Sequence, residues 1–412
     1  MKKKLLSCML LTSLLFTGCA SSEVSTEKPK ETVKNISSST VSLTMYCEED
    51  TFDLVNELLE GFKQENTGTN FEFNLVKHSD ADMRNDILGD VNAEFDLFTF
   101  PDDQFDSLNA AGVLSEVPNS SEISSRNNES ASACATYDGK MYAYPYTADN
   151  GYFLYYDKSY FSDEDIKTLD RILEVCNASS KHIGMELDSG WYMYSFFGQT
   201  GLNFSINDDG LTNSCDWNTG VGLDVAKAIK AFIDNPAFKY AKSDALVEGF
   251  TDGSIIAGIS GTWNASAIKN ILGDNFGAVK LPTYTCGDKQ VQMATFTGYK
   301  MIGVNSYSKN LDWAHKVADY LTNESSQLTR LTEKSIGPSN INAANSDEVK
   351  KQPAILAVID ESQYGVVQRV GNSYWGACTD FYNSLKAKSY TDAELQEVLD
   401  TMVSAITKSV GN

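Results

Sequence analysis

The side chains able to bind or react gather where runs of apolar residues end. Glu49 and Asp50 follow the alternating run Val41 to Cys47. Phe100, Asp102, Asp103 and Gln104 close a second apolar run. Asp149 and Asn150 interrupt a third, in which seven of the seventeen residues from Met141 to Asp157 are aromatic. Trp191, Tyr192 and Tyr194 stand in an aromatic cluster, Trp263 follows Ile255 to Ile259, and Trp375 lies near the start of a tail helix. Rings offer flat apolar faces with polar tips, and carboxylates and amides offer hydrogen bonds in pairs. Together they suit an uncharged sugar, whose C–H faces stack on rings and whose hydroxyls bond to Asp, Glu and Asn. Taken singly, each is equally a packing or capping residue. Asp102 and Asp103 favour the first turn of a helix with or without a ligand.

Other chemistries lack their signatures. The three histidines, His78, His182 and His315, show no HExxH spacing. No dinucleotide fingerprint, phosphate loop or GxSxG elbow is present. No catalytic residue, metal site or cofactor is therefore expected. Carboxylates are numerous enough that counting alone leaves a glycosidase pair open. Cys47, Cys134, Cys176, Cys215, Cys286 and Cys378 are scattered without a CxxC pair. Disulfides and buried free thiols both remain open for them. The net charge of −23 repels nucleic acid and anionic lipid.

These residues need elements to hold them. A chain of 412 residues exceeds what one core usually serves, so two lobes are expected. Strands alternate with amphipathic helices from Val41 onward, the pattern of an α/β layered lobe. Ligands in such sheets sit beyond the carboxyl ends of the strands. The aromatic stretch around Asp149 reads as strand, polar step and second strand, which is how a chain crosses from one lobe to another. A buried hairpin is the plainer reading of the same residues. Met293 to Gly298 reads as a second crossing. Three tail helices are expected, at about Asp347 to Glu361, Tyr374 to Ala387 and Asp392 to Thr407.

The start of the chain points to export. Lys2, Lys3 and Lys4 precede an apolar run too short to span a bilayer. Leu15-Phe16-Thr17-Gly18-Cys19-Ala20 then resembles a bacterial lipoprotein lipobox, with Phe16 where leucine is usual. This implies a signal peptide over 1–18 and lipidation of Cys19. The Ser-, Thr-, Lys- and Glu-rich 19–40 reads as a disordered tether.

Three further pieces appear in order: Asp138-Gly139-Lys140-Met141-Tyr142-Ala143-Tyr144-Pro145; Gly258 to Asn264 with Gly277 to Thr283; and Phe296 to Asn305 with Ser308-Lys309. Through them the chain from Val41 onward resembles the solute-binding proteins of sugar-importing ABC transporters, and within those the maltodextrin-binding proteins. The resemblance implies a two-lobed periplasmic-binding-protein-like α/β fold, each lobe a mixed sheet flanked by helices and joined by hinge strands. The lobes are expected as 41–148 with 296–346, and 149–295 with 347–412. It also implies sugar contacts from Asp103, with Phe100 at a stacking tryptophan position, Gln104 at an arginine position and Asn150 at a glutamate position. Trp263 and Trp375 match stacking tryptophans, and Tyr192 and Tyr194 lie in an aromatic stacking region. Glu49 and Asp50 match an acidic-plus-lysine pair whose lysine is absent here. The expected protein is a monomeric, lipid-anchored receptor on the extracellular face of the cell membrane. It captures an oligosaccharide, malto-oligosaccharides first, and hands it to a permease. A different oligosaccharide, a peptide or polyamine ligand, a cell-surface glycan hydrolase and an adhesin are the rivals.

Overall fold

The computed structural model describes residues 40–90, 94–207 and 209–408. The expected signal peptide, Cys19 and nearly all of the tether lie outside the described residues. Thr40 already belongs to the first strand, Thr40–Cys47. There Val41, Leu43, Met45 and Cys47 face the core and the residues between them do not, as the period-two pattern requires.

Two five-stranded sheets carry the fold. In the first, Asn70–Lys77, Thr40–Cys47 and Leu97–Pro101 run parallel. Lys300–Val304 then enters antiparallel between Leu97–Pro101 and Ala143–Thr147. The second sheet repeats the plan. Phe238–Tyr240, His182–Met185 and Ile255–Gly261 are parallel, and Tyr152–Asp157 lies antiparallel between Ile255–Gly261 and Phe276–Val279. Each sheet thus takes three strands from its own run of chain and an antiparallel strand that adjoins a crossing.

Helices cover both sheets with one apolar stripe each. Phe52–Glu65 buries Leu54, Val55, Leu58, Leu59 and Phe62, a spacing that keeps one face inward. The helix Leu311–Leu321 packs on the same core, with Ala314, Val317, Ala318 and Leu321 buried. Around the second sheet one core gathers Tyr152, Leu154, Trp217, Tyr374 and Phe381, while a smaller one holds Phe153, Tyr155, Ile268 and Ala357. The chain passes between the sheets at residues 148–151, again at 293–299, and a third time after the helix Glu324–Lys334. Met141 to Asp157 is therefore a crossing rather than a hairpin, since its two strands belong to different sheets.

One expected helix is shorter than its pattern suggests. The tail segment from Asp347 becomes a 3-10 turn at Val349–Lys351, and the α-helix runs only over Pro353–Ser362. Proline suits the first turn of a helix and cannot continue one from before. The six cysteines are free, and all but Cys215 are buried.

Candidate ligand-binding site

The crossings are tied to one another by side chains. Asp149 is buried, and its Oδ2 accepts hydrogen bonds from the Thr262 hydroxyl at 2.8 Å and the Gly337 N–H at 2.6 Å. It thereby joins the first crossing to the turn before Trp263 and to the loop of the third passage. The Tyr152 N–H donates to Thr295 Oγ1 at 3.1 Å, which ties the first crossing to the second. Sequence reasoning offered Asp149 as a ligand contact. Its bonded oxygen is instead spent on holding the hinge together.

A wall of aromatic rings stands beside the second crossing. The helices Gly190–Phe197 and Ser373–Ala387 begin side by side, with the Tyr374 hydroxyl donating to the Gly190 carbonyl at 2.7 Å. A Cβ at Gly190 would lie 2.8 Å from the Tyr374 ring and 3.2 Å from that of Trp375, so glycine permits this approach. Trp191 stacks on Phe296 at 5.5 Å and 24°, and the Trp375 ring centre is 6.5 Å from Phe296. Both tryptophans are half-buried and keep part of their surface open. Trp263 is 38% exposed, its ring folded over Gly261. Its turn is anchored by Thr262 on Asp149 and by the Asn264 amide, which donates to Ser260 Oγ at 3.0 Å.

Tyr192 packs against Tyr152 at 5.0 Å and hydrogen-bonds Ser260, and Tyr194 stacks on Phe296 at 4.2 Å. Both are buried, so they build the wall from behind rather than presenting faces. That corrects their expected stacking role.

The first sheet contributes polar groups, though not all of those expected. Phe100 is 0% exposed and packs on Phe98, which leaves no face for a ligand. Its strand is buried on both sides, so no position along it faces solvent. Gln104 is also buried and committed. Its amide donates to the carbonyls of Asp80 and Ala81 at 2.8 and 2.9 Å and accepts from the Arg84 N–H at 2.8 Å. Glu49 is exposed and paired with Lys77 at 2.5 Å, and Asp50 is exposed. The inward acid is their neighbour Glu48, whose Oε1 accepts from the Asp80 N–H at 2.8 Å.

Asp80 in turn pairs with Lys300 at 2.7 Å and accepts from the Thr99 hydroxyl at 2.5 Å. Glu48, Asp80 and Lys300 were missed. Lys300, two residues past Gly298, is the cation that pairs with Asp80. Asp102 and Asp103 each keep one buried oxygen without a partner. Burial pushes Asp103 up to about 7, helped by the Asp102 charge and opposed by Arg84. It pushes Asp102 up to about 6, against the Tyr299 N–H at 3.1 Å. Asn150 is half-buried and lines a cavity at the crossings.

The structure thus sets Trp191 and Trp375 against Phe296 and ties the turn that carries Trp263 to Asp149 through Thr262. In the first sheet's half, Phe100 and Gln104 are buried, and Glu49 and Asp50 are exposed. Among the described residues, no group of three or more His, Cys, Asp or Glu is placed to hold a metal ion.

Two mixed sheets threaded by crossings, with open aromatic surface beside the hinge, define a receptor of the two-lobed periplasmic-binding-protein-like fold. Residues 57–357 match the family model described as bacterial extracellular solute-binding protein, and the chain belongs to that family of binding proteins rather than enzymes. A galactooligosaccharide-binding protein of Bacillus subtilis (strain 168) is 28% identical over 300 residues, 69% of either chain. A solved structure described as "with acarbose" is 29% identical with a TM-score of 0.80, covering 90% of this chain and 99% of the other. The maltodextrin-binding protein MalE1 of L. casei BL23 shares the fold at 23% identity and a TM-score of 0.74, covering 90% and 100%.

Proposed function

We propose that the chain is the capture subunit of an ABC importer for an oligosaccharide, with malto-oligosaccharides as the first ligand to test. Supporting this most is the placement of Trp191, Trp375 and Trp263, open aromatic surface around crossings latched by Asp149. A sugar held there stacks on one half and bonds to the polar groups of the other. It stabilises the closed arrangement by contacts it cannot make in the open one. The lobes of this reading are 41–148 with 296–346, and 149–295 with 347–412. Lipidation at Cys19 keeps the receptor at the extracellular face of the cell membrane, where a permease receives the ligand.

A second reading, a galacto-oligosaccharide, is favoured by the similar galactooligosaccharide-binding protein. The burial of Phe100 and Gln104 also favours it, since both stand at maltodextrin-contact positions. Tryptophan fluorescence titration against malto-, galacto-, xylo- and fructo-oligosaccharides separates the two. Trp263→Ala and Trp375→Ala should each weaken the active sugar by about 1–3 kcal/mol while the fold survives, as for stacking on a ring. Unchanged affinity in both variants, or no response to any sugar, refutes the proposal.

A further inference from the structure

Arg369 carries a charge from the second half of the chain to the first. Its Nη1 lies 3.8 Å from Asp106 Oδ2. It also hydrogen-bonds the Cys134 thiol and attracts the buried Asp102 carboxylate. Arg369 stands between the helices Pro353–Ser362 and Ser373–Ala387, both packed around the second sheet. Asp106 and Cys134 stand on Phe105–Ala110 and Glu129–Cys134, short helices that pack on the first core. Among the described residues, every other ion pair stays within one of the proposed halves.

This contact lies behind the crossings, away from the tryptophans. Phe296 pairs with Val366, and Thr297 with Val367. Paired strand residues share a face, and successive ones alternate. Phe296 packs on Trp191 and Trp375, so Thr297 and Val367 face the other way. Arg369 comes two residues after Val367 and keeps to that side. Ser130, from the helix that ends in Cys134, is there too, since it lines one cavity with Thr297 and Val367.

We propose that Arg369 is a positioning residue for sugar capture: its pairing with Asp106 behind the crossings holds the tryptophan side open and so lowers oligosaccharide affinity without touching the sugar. The sign follows from leverage. A rotation about the crossings that brings the tryptophans toward the first half draws apart the groups on the opposite side. An attraction there favours the open arrangement, and removing it raises the share of closed molecules. Apparent affinity rises by the same factor while the open form dominates. Side-chain exposures of 40% for Arg369 and 57% for Asp106 keep the pair weak, so the expected gain is about two- to fivefold. The affinity change rests on the capture reading. The pairing and its effect on the angle between the halves do not.

Two measurements on the whole protein test it. One is calorimetric titration with the oligosaccharide panel. The other is pulsed electron paramagnetic resonance on the unliganded protein, between nitroxide labels at the exposed positions Glu57 and Lys386. Arg369→Gln and Asp106→Asn should each tighten sugar binding about two- to fivefold and shift the label distances in the same direction. The double variant should add little to either single change. Exchanging the charges, with Arg369→Glu and Asp106→Arg together, should restore wild-type behaviour. Lys227→Gln, which breaks an ion pair inside the second half, should change neither reading. At 1 M sodium chloride wild type and variants should converge, because exposed charges are then screened. Label distances that do not respond to Arg369→Gln, or single changes that add in full, overturn the proposal. Weaker sugar binding in Arg369→Gln also overturns it, since Arg369 would then stand on the sugar side. If wild type binds no oligosaccharide, the capture reading falls, and the label distances still decide whether Arg369 sets the angle.

Discussion

Glu361→Gln should make the protein less sensitive to alkali. Burial holds the Glu361 carboxyl at about 8 against an ordinary 4.5, opposed only in part by the Leu281 N–H and by Lys280. The folded state therefore keeps a proton that the unfolded chain gives up. Stability from this group is complete below about pH 4.5 and is lost progressively until about pH 8. The slope is about 1.4 kcal/mol per pH unit, and 3.5 units give an upper value of about 5 kcal/mol. Water entering the adjoining cavity screens part of this, so about 2–5 kcal/mol is expected. Asp102 and Asp103 lose stability in the same direction, through about 6 and about 7. The interval just above pH 7 therefore reports mainly on Glu361. Gln keeps an oxygen for the Leu281 N–H and cannot ionise. Urea unfolding followed by circular dichroism from pH 5 to pH 9 should show the wild-type and Gln curves diverging by that amount, with Gln the more stable at high pH. Parallel curves would refute the reasoning, because they would mean that Glu361 is ionised and already paired near neutrality.

Three further outcomes follow from buried contacts. Asp149→Ala orphans the Thr262 hydroxyl and the Gly337 N–H and should cost about 2–3 kcal/mol in urea unfolding, against little change for a surface acid such as Asp50. Phe100→Ala should lower stability by about 3–5 kcal/mol, the ordinary cost of emptying a core, with any change in sugar affinity no larger than the loss of fold accounts for. Gly365→Ala places a Cβ against Thr297 Cγ2 and 3.3 Å from the Thr295 carbonyl oxygen, so it should destabilise by about 1–3 kcal/mol through overpacking.

Much of the architecture was legible because its pattern is redundant. The polar step Asp149-Asn150-Gly151 between two aromatic strands could only be a turn or a crossing, and Met293 to Gly298 supplied its counterpart. The tail helices Ser373–Ala387 and Asp392–Ile406 fall within a residue of where their pattern puts them. The hairpin Thr283–Cys286 with Lys289–Gln292 was not read, since its strands are short and half polar. Phe100 misled because Leu97–Pro101 is buried on both faces, which erases the alternation that tells inside from outside. Glu49 and Asp50 were named in place of Glu48, an error of one residue where a strand ends and the facing side changes. Glu361 was invisible for a different reason. An acid in the run Val358-Ile359-Asp360-Glu361-Ser362 reads as the wet face of a helix, and only the packing of that helix on the second sheet turns it inward.

The two halves divide the work of recognition unequally, and this constrains what can bind. The three tryptophans with open surface near the crossings, Trp191, Trp263 and Trp375, belong to the second half. The first half brings Glu48, Asp80 and Lys300, already bonded to one another, and the half-hidden carboxyl of Asp103. A flat apolar face alone binds from one side and gains little from closure. A polyhydroxylated edge alone finds its partners satisfied and competes with them. Only a molecule carrying a stackable face and a hydroxylated edge together draws both halves onto itself, which is why a sugar fits this division better than a peptide or a polyamine. Competition titration with a diamine or a tripeptide should accordingly leave oligosaccharide binding untouched. Displacement by either would mean that the acids of the first half, rather than the rings of the second, govern affinity.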